Sequence, residues 1–146
     1  MSRVAVGYHQ YDLIDVGPGS VVETITDFSA QPGFLVVETG LIVVRTGTDT
    51  GNVEVELSIY DAPPVSLRGW EEVYEAEMAT RSGRVEVRHF DGPRVEGLPA
   101  FVTSPGGRLG VRVHVSGREA GEQEYIVSGE PLEHHHIQLW PIHLPT

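Results

Sequence analysis

Alternating apolar and polar residues run through most of the chain and predict half-buried β-strands. The segment NVEVELSIY (52–60) carries an aliphatic residue at every second position, with glutamate or serine between. Residues 84–90 and 108–115 repeat the pattern. Because the side chains of a strand point alternately to opposite faces, each of these segments would bury one face and expose the other.

The segment FLVVETGLIVVRTG (34–47) is more continuously apolar. It is typical of one or two strands covered on both faces, or of a hairpin broken at Thr39-Gly40. Glycine and proline interrupt the chain every 8 to 12 residues, roughly the spacing of sandwiches and barrels. Among these turn signals are QPG (31–33) and GTDTGN (47–52). The second has a single carboxylate, so it predicts a hairpin turn rather than a calcium loop.

The segment WEEVYEAEMATRSG (70–83) fits either a helix or a strand. Its Glu, Ala and Met residues are good helix formers. With a period of two, however, Tyr74, Ala76 and Met78 share one face, and the segment leads from one strong strand to the next without a clear helix cap. We therefore favour a strand here, and we interpret SGREAGEQE (116–124) as a polar loop.

Together these elements predict an all-β fold, an antiparallel β-sandwich of about eight or nine strands with little or no helix. Two packed antiparallel sheets are the simplest way to bury so many one-sided strands. A length of 146 residues is typical of a single domain, 1–146, and is long enough to bury a core.

The charge balance limits the classes of partner. The chain has 21 acidic residues and 10 basic ones, all arginine, which gives a formal net charge of -11. This argues against direct binding of nucleic acid and is compatible with a basic protein partner, although a solvated acidic surface gives the same balance. There is no apolar run long enough for a membrane helix, no signal-peptide pattern at the start and no cysteine. We therefore expect a cytoplasmic protein that neither binds membranes nor contains disulfides.

Three consecutive histidines precede the apolar segment IQLWPI (137–142). In a strand, His134 and His136 would project from one face and could chelate a metal ion if His114 or His89 supplied a third ligand. An ordinary strand with polar rings on its outer face explains the same pattern.

The alternation also assigns the remaining residues of this last strand to faces. It places Ile137 and Leu139 in the core, with His135 following them at the frayed end of the strand. It places Gln138 and Trp140 outward, beside the other two histidines.

Motifs for nucleophilic catalysis, phosphate binding and dinucleotide binding do not occur. The densest acidic cluster, from Glu71 to Glu77, would set Glu75 and Glu77 on one face of a strand. Such a pair suits acid-base chemistry, but a solvated strand face is the simpler explanation. The sequence gives no positive evidence for an enzyme and implies no cofactor.

Aromatic residues near carboxylates suggest a surface for a basic protein partner. Trp70, Tyr60 and Phe90 are expected to be exposed, or else to cap the edges of the sandwich. The candidate residues for partner binding are Glu54, Glu56, Trp70, Glu75 and Glu77.

The segment GYHQYDL (7–13) is similar to the aromatic-His-Gln-aromatic segment near the start of the competence protein J family, small inhibitors of a DNA-entry nuclease. The order of GLIVVRTG, VEVELSIYDAPP, WEEVYEAEMATRSGRVEVRHF and IQLWPI is also similar, so the likeness spans nearly the whole chain through short motifs. The resemblance implies a β protein that acts by binding rather than catalysis, and it supports a strand from Trp70 to Met78.

The sequence thus predicts a non-enzymatic binding module, an inhibitor or regulator of a nuclease, that acts through an acidic sheet surface. The alternative is a β-sandwich or jelly roll that binds a small ligand or a metal ion through His134 and His136.

Overall fold

A computed structural model describes residues 1–17, 34–124 and 126–143 of the chain. Its elements are β1 (Ser2–Val6), β2 (Gln10–Asp15), β3 (Leu35–Glu38), β4 (Leu41–Arg45), β5 (Thr50–Ile59), β6 (Glu72–Ala79), β7 (Arg84–Arg88), β8 (Phe101–Val102), β9 (Arg108–Ser116), α1 (Arg118–Gln123), β10 (Ile126–Val127) and β11 (His134–Ile142). In the described ranges, nine strands have four or more residues. The predicted all-β sandwich with little helix is therefore confirmed.

The strands form two sheets that enclose one main core. The first sheet has the order β1-β5-β11-β9-β6, with β10 also beside β5, and the second has the order β3-β4-β2-β7-β8. Most neighbouring strands are antiparallel, but β10 and β11 run parallel to β5. The main core lies between the sheets because the alternating strands of both turn their aliphatic faces toward each other.

The ambiguous segment 70–83 contains strand β6, as the period of two predicted. Met78 is fully buried, and Tyr74 and Ala76 pack against the core. The intervening glutamates lie on the opposite, solvent-facing side of the sheet. Tertiary pairing with β9 along eight residues outweighs the helix propensity of the Glu, Ala and Met residues.

The apolar segment 34–47 combines both of its predicted features. Strands β3 and β4 form an antiparallel hairpin that turns at Gly40, which has a φ of 77°. Both faces of the hairpin are covered. Ile42 and Val44 enter the main core, and a second buried cluster on the other face consists of Val36, Leu41 and Val43.

Two local predictions were wrong. The supposed polar loop 116–124 contains the short helix α1, whose buried Gly121 packs so closely that a Cβ there would lie 2.5 Å from the hydroxyl oxygen of Thr48. The supposed hairpin turn GTDTGN is instead a crossover, because β4 and β5 belong to different sheets. The predicted turn at 31–33 lies outside the described residues.

Candidate functional site

The five predicted binding residues belong to the outer face of the first sheet. Glu54 and Glu56 project from β5, whereas Glu75 and Glu77 project from β6. Strands β11 and β9 lie between them, so the two pairs of glutamates stand about 14 Å apart. Trp70 approaches the middle of this face from the loop that precedes β6, where its ring lies 6.0 Å from that of His114.

Arginine and histidine side chains from the sheet contact three of these carboxylates. The pairs on this face are Glu75–Arg112 (2.7 Å), Glu77–Arg108 (3.4 Å) and Glu56–His136 (3.2 Å). The three glutamate side chains remain 50 to 61% exposed, so solvent and a partner can still reach them. The surface is therefore a mixed-charge face with an acidic excess at its two sides, and not a continuous acidic patch.

The loop between β5 and β6 covers the centre of the same face. The backbone N–H of Leu67 donates to Nε2 of His114 at 3.0 Å, and the side-chain amide of Gln138 donates to the carbonyl of Val65 at 3.2 Å. Gln138 lies on the predicted face, but it is only 1% exposed. Its expected exposure was wrong because alternation within a strand does not reveal a loop that folds over the strand.

The histidines of this face serve as hydrogen-bonding groups. Nδ1 of His114 donates to the carbonyl of His136, and its Nε2 accepts the bond from the loop. Burial lowers the pKa of His114, which favours this neutral form. In His136, Nε2 bonds to the hydroxyl of Ser58 at 2.9 Å while Nδ1 faces Glu56.

The proposed metal ligands do not form a coordination site. His134 and His136 share a face, and His114 is the register partner of His136 on β9. However, both ring nitrogens of His114 are hydrogen-bonded, those of His136 contact Ser58 and Glu56, and His89 accepts the N–H of Ala5 elsewhere in the structure. In the described part of the chain, no three His, Asp or Glu side chains are grouped so that they could hold a metal ion.

A shallow pocket opens on this face beside Trp140. It has a volume of about 260 Å³ and is lined by Glu75, Ala76, Glu77 and Trp140. The indole of Trp140 lies against Gly110, where a Cβ would come within 2.1 to 2.4 Å of three indole atoms. Trp140 is thus on the predicted outer face, but it is only 7% exposed because the missing side chain at Gly110 lets the ring settle onto the sheet.

A buried network that was not predicted from the sequence lies on the inner side of β11. Nε2 of His135 is 2.7 Å from a carboxylate oxygen of Glu133, and the hydroxyl of Tyr11 is 2.7 Å from Nδ1 of the same ring. Glu133 also accepts bonds from the N–H and hydroxyl of Thr48 and from the N–H of Gly47. His135 follows Ile137 and Leu139 on the core side, as alternation predicted, but the expected fraying was wrong because the side chain is 1% exposed and hydrogen-bonded.

The electrostatics of this network favour an ionised Glu133 and a neutral Tyr11. Burial opposes ionisation of Glu133, but the hydrogen bonds from His135, Thr48 and Gly47 outweigh it and hold the pKa of Glu133 below its usual value. Burial and the nearby Glu133 charge raise the pKa of Tyr11. Because the Glu133 carboxylate can only accept, the Nε2–H of His135 donates to it, and Nδ1 of the same ring shares a hydrogen bond with the Tyr11 hydroxyl.

The network has a structural role, because its three side chains are at most 1% exposed and join β11 of the first sheet to β2 of the second. The sequence held a partial signal for it. Alternation places Glu133 and His135 on the same side as Ile137, which is the core side.

Comparison with known proteins addresses the fold. Neither a protein-family model nor a curated protein matches the chain. Among solved structures, it is similar to ComJ from Bacillus subtilis, described as an inhibitor of the DNA-degrading activity of NucA. That match has a TM-score of 0.63 and 11% identity, and it covers 96% of this chain and 93% of that chain. The chain has a ComJ-like fold.

A second solved structure, described as "Crocagin biosynthetic gene J", matches with a TM-score of 0.56 and 15% identity, over 96% of both chains. At these identities the likeness concerns the fold alone. Among the described residues, no helix is long and apolar enough to cross a membrane.

Within the ComJ-like fold, the GYHQYDL segment forms the turn between β1 and β2 and the first residues of β2. Tyr8 and His9 have positive φ angles of 52° and 62°, which non-glycine residues seldom adopt. The His9 ring holds this conformation through Asp49 and the carbonyls of Thr46 and Gly47. Tyr8 is consequently 78% exposed, whereas the aromatics expected to be exposed, Trp70, Tyr60 and Phe90, are only partly so.

Proposed function

We propose that this protein is a non-enzymatic binding module that inhibits a DNA-degrading nuclease in the cytoplasm. The observation that carries the proposal is the ComJ-like fold, which extends over nearly the full length of a protein described as a nuclease inhibitor. The inhibited enzyme would be a protein partner. Direct contact with nucleic acid is not part of the proposal, because the net charge of -11 opposes it.

The outer face of the first sheet is the proposed contact surface. A nuclease must attract the phosphate backbone of DNA and therefore carries a basic cleft. The half-exposed carboxylates of Glu54, Glu56, Glu75 and Glu77 at the two sides of this face complement such a cleft, with Trp70 between them. Charges arranged in this way accelerate association and select the partner.

The test is an inhibition assay with purified NucA and a double-stranded DNA substrate. We expect DNA cleavage to fall with increasing concentration of this protein and to stop near a fixed molar ratio. Neutralising Glu54, Glu56, Glu75 and Glu77 together to Gln should weaken inhibition by about tenfold or more at low salt, because several rim charges are lost.

The matched control removes the same number of charges from other exposed positions. Asp91→Asn combined with Glu96→Gln, Glu119→Gln and Glu124→Gln changes the net charge equally but leaves the proposed face intact. Equal loss of inhibition in the control would show that net charge acts without this face. Undiminished cleavage at a large excess of the wild-type protein would contradict the proposed function itself.

A further inference from the structure

We propose that the pocket beside Trp140 receives an arginine side chain of the partner protein. This inference rests on the proposed binding through the outer face of the first sheet, and it assigns the chemistry of one contact within that face. The volume of the pocket, about 260 Å³, lies below the usual range for drug-sized ligands and cofactors. A single protein side chain is an occupant of suitable size.

The carboxylates of the pocket retain capacity to accept hydrogen bonds. Arg112 contacts only Oε1 of Glu75, and Arg108 contacts only Oε2 of Glu77. Within residues 1–17, 34–124 and 126–143, the other oxygen of each carboxylate has no partner. A guanidinium group has five N–H donors in a planar fork, so a single group can bond to more than one acceptor.

The indole of Trp140 supplies a second, independent feature. The ring is more than nine-tenths buried, yet no hydrogen bond in the described part of the chain uses its N–H group. The N–H group itself is not among the fully buried unpaired atoms of the described residues, so an acceptor that enters the pocket can reach it. The main-chain carbonyl of an arginine residue would provide that acceptor, which a free metal ion or a simple amine would not.

The protein already shows that this indole attracts a guanidinium. The guanidinium carbon of Arg112 lies 5.2 Å from the centre of the Trp140 ring, within the range of a cation–π contact. Arg112 is itself fixed by Glu75, by the carbonyl of Pro64 and by the side chain of Gln138. The walls of the pocket are therefore ordered before a partner binds, which lowers the entropic cost of binding.

The test uses the indole N–H signal of Trp140 in two-dimensional NMR. The chain has two tryptophans, so a Trp70→Phe background leaves one indole signal, from Trp140. The probes are the end-blocked peptides Gly-Arg-Gly, Gly-Lys-Gly and Gly-Gln-Gly at low salt. We expect the Arg peptide to shift the signal in a saturable manner, with a dissociation constant of the order of 1 mM, and to bind several-fold tighter than the Lys peptide.

Variants in the same background localise the site. Glu75→Gln with Glu77→Gln should weaken binding of the Arg peptide by about fivefold to tenfold, since two exposed charge contacts are lost. Glu54→Gln with Glu56→Gln makes the same charge change on the far side of the sheet and should alter binding less than about twofold. Equal shifts with the Arg and Gln peptides, equal affinities for Arg and Lys, or equal losses in the two double variants would each overturn the assignment.

The result is separable from the proposed function. If the Arg peptide binds but NucA is not inhibited, the pocket assignment stands and the inhibitor proposal fails. If NucA is inhibited equally well by the wild-type protein and by the Glu75→Gln, Glu77→Gln variant, and the Arg peptide does not bind, the inhibitor proposal stands and the pocket assignment fails.

Discussion

Glu133→Gln is the substitution that most directly tests the buried network. The side chain keeps its shape, but one carboxylate oxygen becomes an NH₂ group in a site where both oxygens accept two bonds each. If the amide oxygen keeps the two bonds from Thr48, the NH₂ group faces the N–H of Gly47 and Nε2 of His135. Nε2 of His135 can accept a bond from this NH₂ group only if the ring proton moves from Nε2 to Nδ1. On Nδ1 the proton then points at the hydroxyl of Tyr11.

The cost follows from these contacts. The N–H of Gly47 is left buried without an acceptor, which costs about 1–3 kcal/mol, and charge-assisted bonds from His135 and Thr48 are replaced by weaker neutral ones. We expect the free energy of unfolding at pH 7 to fall by about 2–4 kcal/mol, a large part of the stability of an ordinary domain.

The effect should depend on pH in a defined direction. The pKa of Glu133 is lowered from 4.5 in the folded protein, so the unfolded chain binds more protons in the acidic range. The stability from Glu133 is therefore fully present above about pH 4.5 and is lost as the pH falls through the lowered folded pKa. The difference between wild type and variant should shrink in this acidic range.

The assay is urea denaturation followed by circular dichroism at pH 7 and at pH 3. Glu130→Gln makes the same chemical change at a side chain that is 87% exposed, and its effect should stay below about 0.5 kcal/mol. A loss in Glu133→Gln no larger than that of this control would refute the reasoning. So would a difference from wild type that grows on acidification.

Three further predictions concern other positions. Burial raises the pKa of Asp12 to about 6, so the free energy of unfolding of the wild type falls as pH rises from about 4 to 6. The Asp12→Asn variant should therefore be about 1–2 kcal/mol more stable than wild type at pH 7, after allowance for solvent screening, and equal stability of the two proteins by calorimetry at pH 7 would contradict this. Gly110→Ala should displace the indole of Trp140 and lower the free energy of unfolding by about 1–3 kcal/mol. The fluorescence of Trp140 should shift to the red, and an unchanged spectrum would show that Gly110 does not confine the ring. Because the pKa of His114 is lowered, its neutral form stabilises the loop between β5 and β6 above about pH 6.5, and this contribution is lost as pH falls through the lowered pKa. Hydrogen exchange at the N–H of Leu67, corrected for intrinsic rates, should therefore accelerate on acidification. Constant protection would argue against the hydrogen bond from Leu67 to His114.

Strand β6 and the hairpin of β3 and β4 show how far local sequence reasoning reaches in this protein. A period of two identifies which residues of β6 enter the core, even though helix propensity disagrees, because burial of one face outweighs intrinsic preference. The continuous apolar run of 34–47 similarly indicates strands covered on both faces or a hairpin, and the structure has a hairpin with both faces covered. Such predictions need only the geometry of one strand.

The candidate site shows where that reasoning stops. Alternation correctly assigns Gln138 and Trp140 to the outer face of β11, but their burial depends on the loop after β5 and on Gly110 of the neighbouring strand. The glutamates chosen from the sequence share one face, yet their separation across the sheet depends on the insertion of β11 and β9 between β5 and β6.

The sequence by itself determined the strand-rich composition, the core-facing side of the alternating strands and the acidic excess, since these depend on residue type and on a local period. The tertiary structure alone decided which strands are neighbours, where the chain crosses between sheets and what each outer face meets. Those features arise from contacts between residues far apart in the chain, such as Tyr11 with His135 and Gly110 with Trp140. No pattern within a single segment encodes the partner that another segment will supply.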